Sequence, residues 1–345
     1  MSRLFRCMLA AAVLAAVPTC ASSAIQVVDS KAFAGRRSPP AVFLSGELSD
    51  ATVSQLRALS ATGRLDGAIV YLDSAGGEPQ AGMALGDIIR DRGMNTAVGR
   101  HQEGIAQPAI GRCMSACVLA YAGGTFRFID PSSQLGIHRF YRETPTAADL
   151  DVAQLMSAAI TSYLIRMGID PELFARMVTV ERKSMELLSH SDAIRLRLVN
   201  NGVLPAEWAI EGRQGSVYLA GRQVSANGTG KLIMSCTGGR SVRLSAMYDG
   251  GDNNSEIARR TAHYSLRIND RFLPIASVTK PATVSGQYVL ASFQPDMNML
   301  WDLSAAEQIG FGFHTGDRET FYGFLVAVDG QQDLIRSWIT HCTEV

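Results

Sequence analysis

The 345-residue sequence predicts a mixed α/β domain followed by a β-rich domain, and two observations carry that prediction. Between about Pro40 and Val203, short apolar runs alternate with stretches of helical periodicity, the pattern of strands and helices stacked in layers. After about Pro205 the alternation gives way to short strand-like runs separated by turn residues, the texture of a sandwich or small barrel. The chain contains no internal repeat and no low-complexity tract.

Taken in order, residues 1–24 have Arg3 and Arg6, an apolar run from Met8 to Val17 and the small residues Ala21-Ser22-Ser23-Ala24. This is the layout of a cleaved export signal, and the apolar run is too short to span a bilayer. Residues 25–39 read as a linker. In the α/β domain, expected at 40–203, the run from Ala68 to Leu72 ends in Gly76-Gly77 and reads as a buried strand. Ala81–Arg92 places Met83, Leu85, Ile88 and Ile89 at helical spacing. Thr125–Ile129 and Gln134–Ile137 read as strands around the Asp130-Pro131 turn, and Asp149–Met167 as the longest helix. In the β-rich domain, expected at 204–345, strands are predicted at Ser216–Leu219, Lys231–Ser235, Val242–Met247, Tyr264–Ile268, Gln287–Phe293 and Phe321–Val328. A short helix is expected near Ser304–Ile309.

Removal of the signal takes away Arg3 and Arg6 and leaves 30 basic against 32 acidic residues, a formal charge of −2. That balance argues against a nucleic-acid partner, and no later stretch has the length and apolarity of a transmembrane helix. The expected location is periplasmic or secreted. Four cysteines remain, Cys113, Cys117, Cys236 and Cys342. An even number in an exported chain favours disulfides over a metal site. The simplest pairing is local, Cys113 with Cys117 and Cys236 with Cys342, although four cysteines allow three connectivities.

The chemistry concentrates in three short segments: Asp73-Ser74-Ala75-Gly76-Gly77, Arg112-Cys113-Met114-Ser115-Ala116-Cys117 and Leu135-Gly136-Ile137-His138. A serine hydroxyl is a weak nucleophile until a base takes its proton, and the oxyanion that follows needs preorganised N–H donors. Ser115 stands where a loop enters the segment Ala116–Ala122, His138 ends an apolar strand, and Gly76-Gly77 allows the main chain to approach a ligand closely. Cys113 and Cys117 also offer a thiol nucleophile, but in an oxidising compartment a disulfide bracing the Ser115 loop is favoured. Two further motifs are set aside. Ser277-Val278-Thr279-Lys280 has the Ser-x-x-Lys form with His314-Thr315-Gly316 downstream, yet Pro281 follows where a helix should run. The acidic Asp249–Glu256 segment lacks calcium-loop spacing and reads as a solvated turn.

These three motifs, in this order, resemble the ClpP-type serine peptidases of the ClpP/crotonase superfamily, in an exported Clp-protease-like branch. The resemblance covers residues 40–203 and implies a spiral of repeated ββα units. It also implies Ser115 as nucleophile, His138 as base, and the N–H groups of Gly76 or Gly77 with Ala116 as oxyanion hole. Ala75 stands where the family's turn has proline. Leu188-Ser189-His190-Ser191-Asp192-Ala193 matches the segment that follows the family's orienting acid, which puts Met185 at the acid's position, with Glu186 and Glu181 nearby. The family's ring-to-ring handle is shortened here, so a two-ring barrel is not expected. A peptide or protein substrate is implied, a homo-oligomer is compatible, and an exported chain lacks an ATP-driven unfoldase. No cofactor or metal is called for. The expected function is thus an exported serine hydrolase of peptidase type, the alternative being an inactive scaffold that binds through the same cleft.

Overall fold

The protein is described by a computed structural model at residues 24–29, 40–103, 105, 107–140, 149–181, 183–213, 215–238, 240–316 and 321–344. Nearly all of the expected export signal, residues 1–23, lies outside the described residues, as does 30–39 of the expected linker. Ala24–Val28 is a strand, so the stretch read as a linker opens with regular structure. The chain divides into two compact units, one running to residue 125 and over 129–198, the other comprising 126–128 and 199–345.

The elements of the first unit are β1 (Ala24–Val28), β2 (Ala41–Ser45), α1 (Asp50–Ser60), β3 (Ile69–Asp73), α2 (Pro79–Asp91), β4 (Asn95–Val98), β5 (Arg112–Met114) and α3 (Ala116–Ala122). They continue through the boundary strand β6 (Arg127–Ile129) to β7 (Gln134–Ile137), α4 (Asp149–Arg166), α5 (Glu172–Thr179), β8 (Glu186–Leu187) and α6 (His190–Arg195). Strands β2, β3 and β4 are parallel neighbours, with Val42 opposite Val70 and Val70 opposite Thr96. Parallel neighbours need crossovers, and α1 and α2 supply them. Each starts where its sequence dictates: Ser49 and Thr52 form a capping box before α1, and Pro79 opens α2 at a position where the missing N–H costs nothing. The predicted strand at 68–72 alternates in burial. Val70 and Leu72 are fully covered, whereas Ile69 and Tyr71 are half-buried, and Tyr71 stacks on Phe43 with ring centroids 4.9 Å apart.

A second, small sheet of order β5-β7-β8 carries the motif residues. In it β5 and β7 run parallel, with Cys113 opposite Leu135 and Met114 opposite Gly136. Ser115 and His138 therefore leave the carboxyl ends of adjacent strands, where α/β proteins place their chemistry. Helix α3, which follows Ser115, is buried along its whole length.

The second unit contains β9 (Glu207–Arg213), β10 (Ser216–Ser225), β11 (Gly228–Thr237), β12 (Ser241–Asp249), α7 (Asn254–Arg260), β13 (Thr261–Ile268) and β14 (Arg271–Ile275). These are followed by β15 (Lys280–Ser285), β16 (Tyr288–Phe293), α8 (Met297–Ser304), β17 (Gln308–Thr315), β18 (Phe321–Ala327) and α9 (Gln332–Glu344). Two antiparallel sheets, β15-β16-β12-β11-β10-β9 and β14-β13-β17-β18, share one core of Leu232, Leu244, Ala291, Phe293, Phe311 and Phe313 with the helices above them. The β-rich reading of this half therefore holds. The short helix expected near 304–309 is instead α8, at 297–304. Asp296 caps it by accepting from the Met299 N–H, and the alternating Gly310-Phe311-Gly312-Phe313 run directly after it is strand. Lys280 begins a strand, which removes the helical context that a Ser-x-x-Lys nucleophile requires. Asp249–Glu256 is a turn into α7, where the Gly250 N–H donates to Asn254 Oδ1.

Both locally paired disulfides form, Cys113–Cys117 and Cys236–Cys342. The second joins β11 to α9 across 106 residues, so it removes much chain entropy from the unfolded state. Replacing Cys236 and Cys342 together by alanine should lower the stability of this unit by about 4 kcal/mol, read as a shifted urea midpoint under oxidising conditions.

Candidate active site

The site is assembled by main-chain hydrogen bonds at the ends of β3, β5 and β7. The Ser74 N–H donates to the Arg112 carbonyl at 2.8 Å and the Met114 N–H to the Ser74 carbonyl at 2.9 Å, while the Ser115 N–H donates to the Gly136 carbonyl at 2.8 Å. Asp73 Oδ1 accepts from the Arg112 N–H at 2.8 Å. The glycine turn, the serine and the histidine strand are thus fastened to one another before any side-chain chemistry is considered.

Ser115 has φ 57° and ψ −125°, a left-handed backbone that costs a non-glycine residue about 1–3 kcal/mol. The strand arrives at Met114, the helix departs from Ala116, and the strained residue between them projects its hydroxyl from the corner. Cys113 and Cys117 bridge across that corner, holding both of its flanks. Ser115 Oγ lies 2.7 Å from His138 Nε2, within reach for proton transfer. Burial pushes the His138 pKa below that of a free histidine, and a hydrogen bond with the Arg139 backbone partly opposes the shift. A neutral imidazole is the form that can accept the serine proton. The reactivity of Ser115 should therefore be present above the lowered His138 pKa and be lost as pH falls through it. We expect a labelling-rate profile with its acid-side midpoint below that of an unperturbed histidine, and His138→Gln should abolish the inflection.

The glycine turn is divided between two tasks. The Gly76 N–H donates to Ser74 Oγ at 3.0 Å, and Ser74 Oγ in turn donates to the Gly46 carbonyl at 2.6 Å. That N–H is occupied within the turn, leaving Gly77 and Ala116 of the three residues expected to furnish an oxyanion hole. Gly76, at φ 112°, lies directly against Ser115: a Cβ there would be 2.8 Å from the Ser115 Cβ and 3.2 Å from the Ala116 nitrogen. Gly77, at φ 146°, lies against Leu48, where a Cβ would be 2.2 Å from the carbonyl oxygen. A cleft of about 600 Å³ opens beside Gly76, Gly77 and Met114, with Glu47, Asp73 and Arg112 on its walls.

Strand register shows what lies opposite His138. In the β7–β8 pair Gly136 faces Leu187 and Ile137 faces Glu186, so the next residue of β8's approach, Met185, falls opposite His138. The Met185 side chain lies over Gly136, with its Sδ 3.0 Å from where a Gly136 Cβ would be. Gly136 and His138 share one face of β7 because side chains alternate along a strand. Glu186 belongs to the opposite face and is bound to Arg176 at 2.5 Å. Arg176 also holds Asp192, whose pKa it draws down to about 2. Glu181 is solvent-exposed. Among the described residues, burial is the larger cause of the His138 shift and the Arg139 backbone opposes it.

Sequence reasoning missed the parts played by Ser74 and Asp73. The available signal was a hydroxyl residue two places before a glycine, the arrangement in which a side chain bonds to the main chain two residues on.

No family model matches the chain, and no curated protein matches it. Among solved structures, a ClpP1 mutant from Listeria monocytogenes is similar at 18% identity, over 46% of this chain and 88% of that chain, with a TM-score of 0.37. Among the described residues no helix is long and apolar enough to cross a membrane. The two disulfides are compatible with an oxidising, exported environment.

Proposed function

We propose that this protein is an exported serine hydrolase, a peptidase of ClpP type acting on small or unfolded peptides without an ATP-driven unfoldase. The observation that carries the reading is the 2.7 Å contact between Ser115 Oγ and His138 Nε2, at a strained strand-to-helix corner packed against a glycine turn. In the proposed reaction His138 Nε2 takes the Ser115 proton as Oγ attacks the scissile carbonyl. The N–H groups of Gly77 and Ala116 receive the developing oxyanion. The protonated imidazole then delivers that proton to the leaving amine, giving an acyl-serine. Water, deprotonated by the same imidazole, releases the acyl group and restores the serine. The Cys113–Cys117 bridge keeps both flanks of the nucleophile fixed through this cycle.

A second reading, a catalytically inactive scaffold that binds peptides in the same cleft, is favoured by Met185 standing where an orienting acid would be. Labelling of the purified, disulfide-intact protein with a fluorophosphonate probe separates the two. Labelling that disappears in both Ser115→Ala and His138→Ala is the expected result. A folded protein that takes up no probe would leave the scaffold as the better account.

A further inference from the structure

We infer that the second unit carries a binding site of its own, for an uncharged aromatic group, on the outward face of the sheet β14-β13-β17-β18. The inference is independent of the hydrolase reading.

Strand β17 alternates strictly. Ile309, Phe311 and Phe313 enter the core, so Gly310, Gly312 and His314 face outward. Gly312 is paired on one side with Ser265 and on the other with Gly323, so two adjacent glycines bring no side chain of their own to the floor at the middle of the sheet. Above this floor, Phe272 from β14 and Phe321 from β18, strands at opposite edges of the sheet, meet edge to face with centroids 6.4 Å apart. They do so although each remains half-exposed, at 50% and 57%. The result is a cavity of about 420 Å³ bounded by Gly312, Gly323, Phe272, Phe321 and Leu325, within the size range of small-ligand sites.

The aromatic wall is held in place from below. His314 stacks on Phe321 at 5.6 Å, and its Nε2 is 2.7 Å from Ser265 Oγ. A side chain at 312 would need to occupy the space of that pair, with a Cβ 2.7 Å from Ser265 Oγ and 2.8 Å from His314 Nε2. Fixing a ring before a ligand arrives removes an ordering cost from binding.

The chemistry selects an uncharged ring. Among the described residues Arg267 is the one charged residue on the lining; its guanidinium lies 5.3 Å over the Phe272 ring and is matched by Asp270 at 3.3 Å. The half-exposed rings of Phe272 and Phe321 favour another flat ring, and Asn227 and Gln308 on the wall suit one polar substituent. A free aromatic compound and an aromatic side chain on a peptide share this chemistry.

The test is calorimetric titration of the full chain carrying Ser115→Ala, so that no ligand is consumed. N-acetyltryptophanamide and N-acetylphenylalaninamide represent the free compound, and a tryptophan-containing tetrapeptide amide represents the peptide. Saturable binding of either kind is expected, weakened about tenfold in Phe321→Ala and in Phe272→Ala and unchanged in Trp301→Ala. Binding of the tetrapeptide alone assigns the source as a peptide. The proposal is overturned if neither kind binds, if N-acetylalaninamide binds equally well, or if both phenylalanine variants, shown folded by circular dichroism, bind as before.

Discussion

Replacing Met185 with aspartate should raise the second-order rate of Ser115 modification, with a ceiling of about four orders of magnitude, the cost of losing the orienting acid from a complete serine triad. The argument is geometric. Register places residue 185 opposite His138, and the methionine side chain already lies on the face of β7 that His138 shares. A carboxylate presented there would fix the imidazole with Nε2 toward Ser115 and stabilise the imidazolium that forms during attack. Both effects lower the barrier without altering the Ser115–His138 contact. The acid-side midpoint of the pH profile should move upward at the same time, because a nearby anion favours protonated histidine. Met185→Asn is the control: it supplies an acceptor without charge, and its effect should be small. Rates of fluorophosphonate inactivation measured across pH would decide the matter. An aspartate variant with unchanged rate and unchanged midpoint would show that position 185 does not communicate with the base.

Gly76→Ala should lose both reactivity and stability. At φ 112° any side chain is strained, which costs about 1–3 kcal/mol, and here the new methyl group would also press on the Ser115 Cβ at 2.8 Å and the Met114 carbonyl at 2.9 Å. Relief requires the corner to move away from the glycine turn, yet the disulfide and the Ser115–Gly136 hydrogen bond resist that movement. Displacing a nucleophile by about 1 Å is enough to cost about a hundredfold in rate. The expected outcome is a probe-labelling rate lowered by about that factor, together with a reduced urea midpoint. A variant that labels at the parental rate would mean that the turn and the nucleophile are not mechanically coupled.

Much of the site was legible from local chemistry. Ser115 before a buried apolar run, His138 at the end of an apolar strand and two glycines after Leu72 each have a single-segment cause, and the structure places each at the element end that those causes predict. The local cysteine pairing was the simplest expectation because each pair lies within one expected domain, and both pairs form. The helix misplaced to 304–309 shows where local reading fails. The segment holds apolar residues at spacings a helix could use, and only pairing with β13 and β18 makes Gln308–Thr315 a strand.

The orienting acid shows the same limit from the other direction. Counting along the chain brought Met185, Glu186 and Glu181 within reach, but a two-residue strand decides which side chain shares a face with His138, because each step along a strand reverses the direction in which a side chain points. The division of labour between Gly76 and Gly77 depends likewise on Ser74 being folded back onto its own turn. The sequence by itself determined the layered first half, the β-rich second half and the places of Ser115 and His138 at element ends, since these rest on periodicity and on contacts within a few residues; of the three cysteine connectivities it allowed, the structure forms the local one. Tertiary structure alone decided the 2.7 Å contact, the methionine beside His138 and the cavity of the second unit, since each arises where strands distant in sequence come into register.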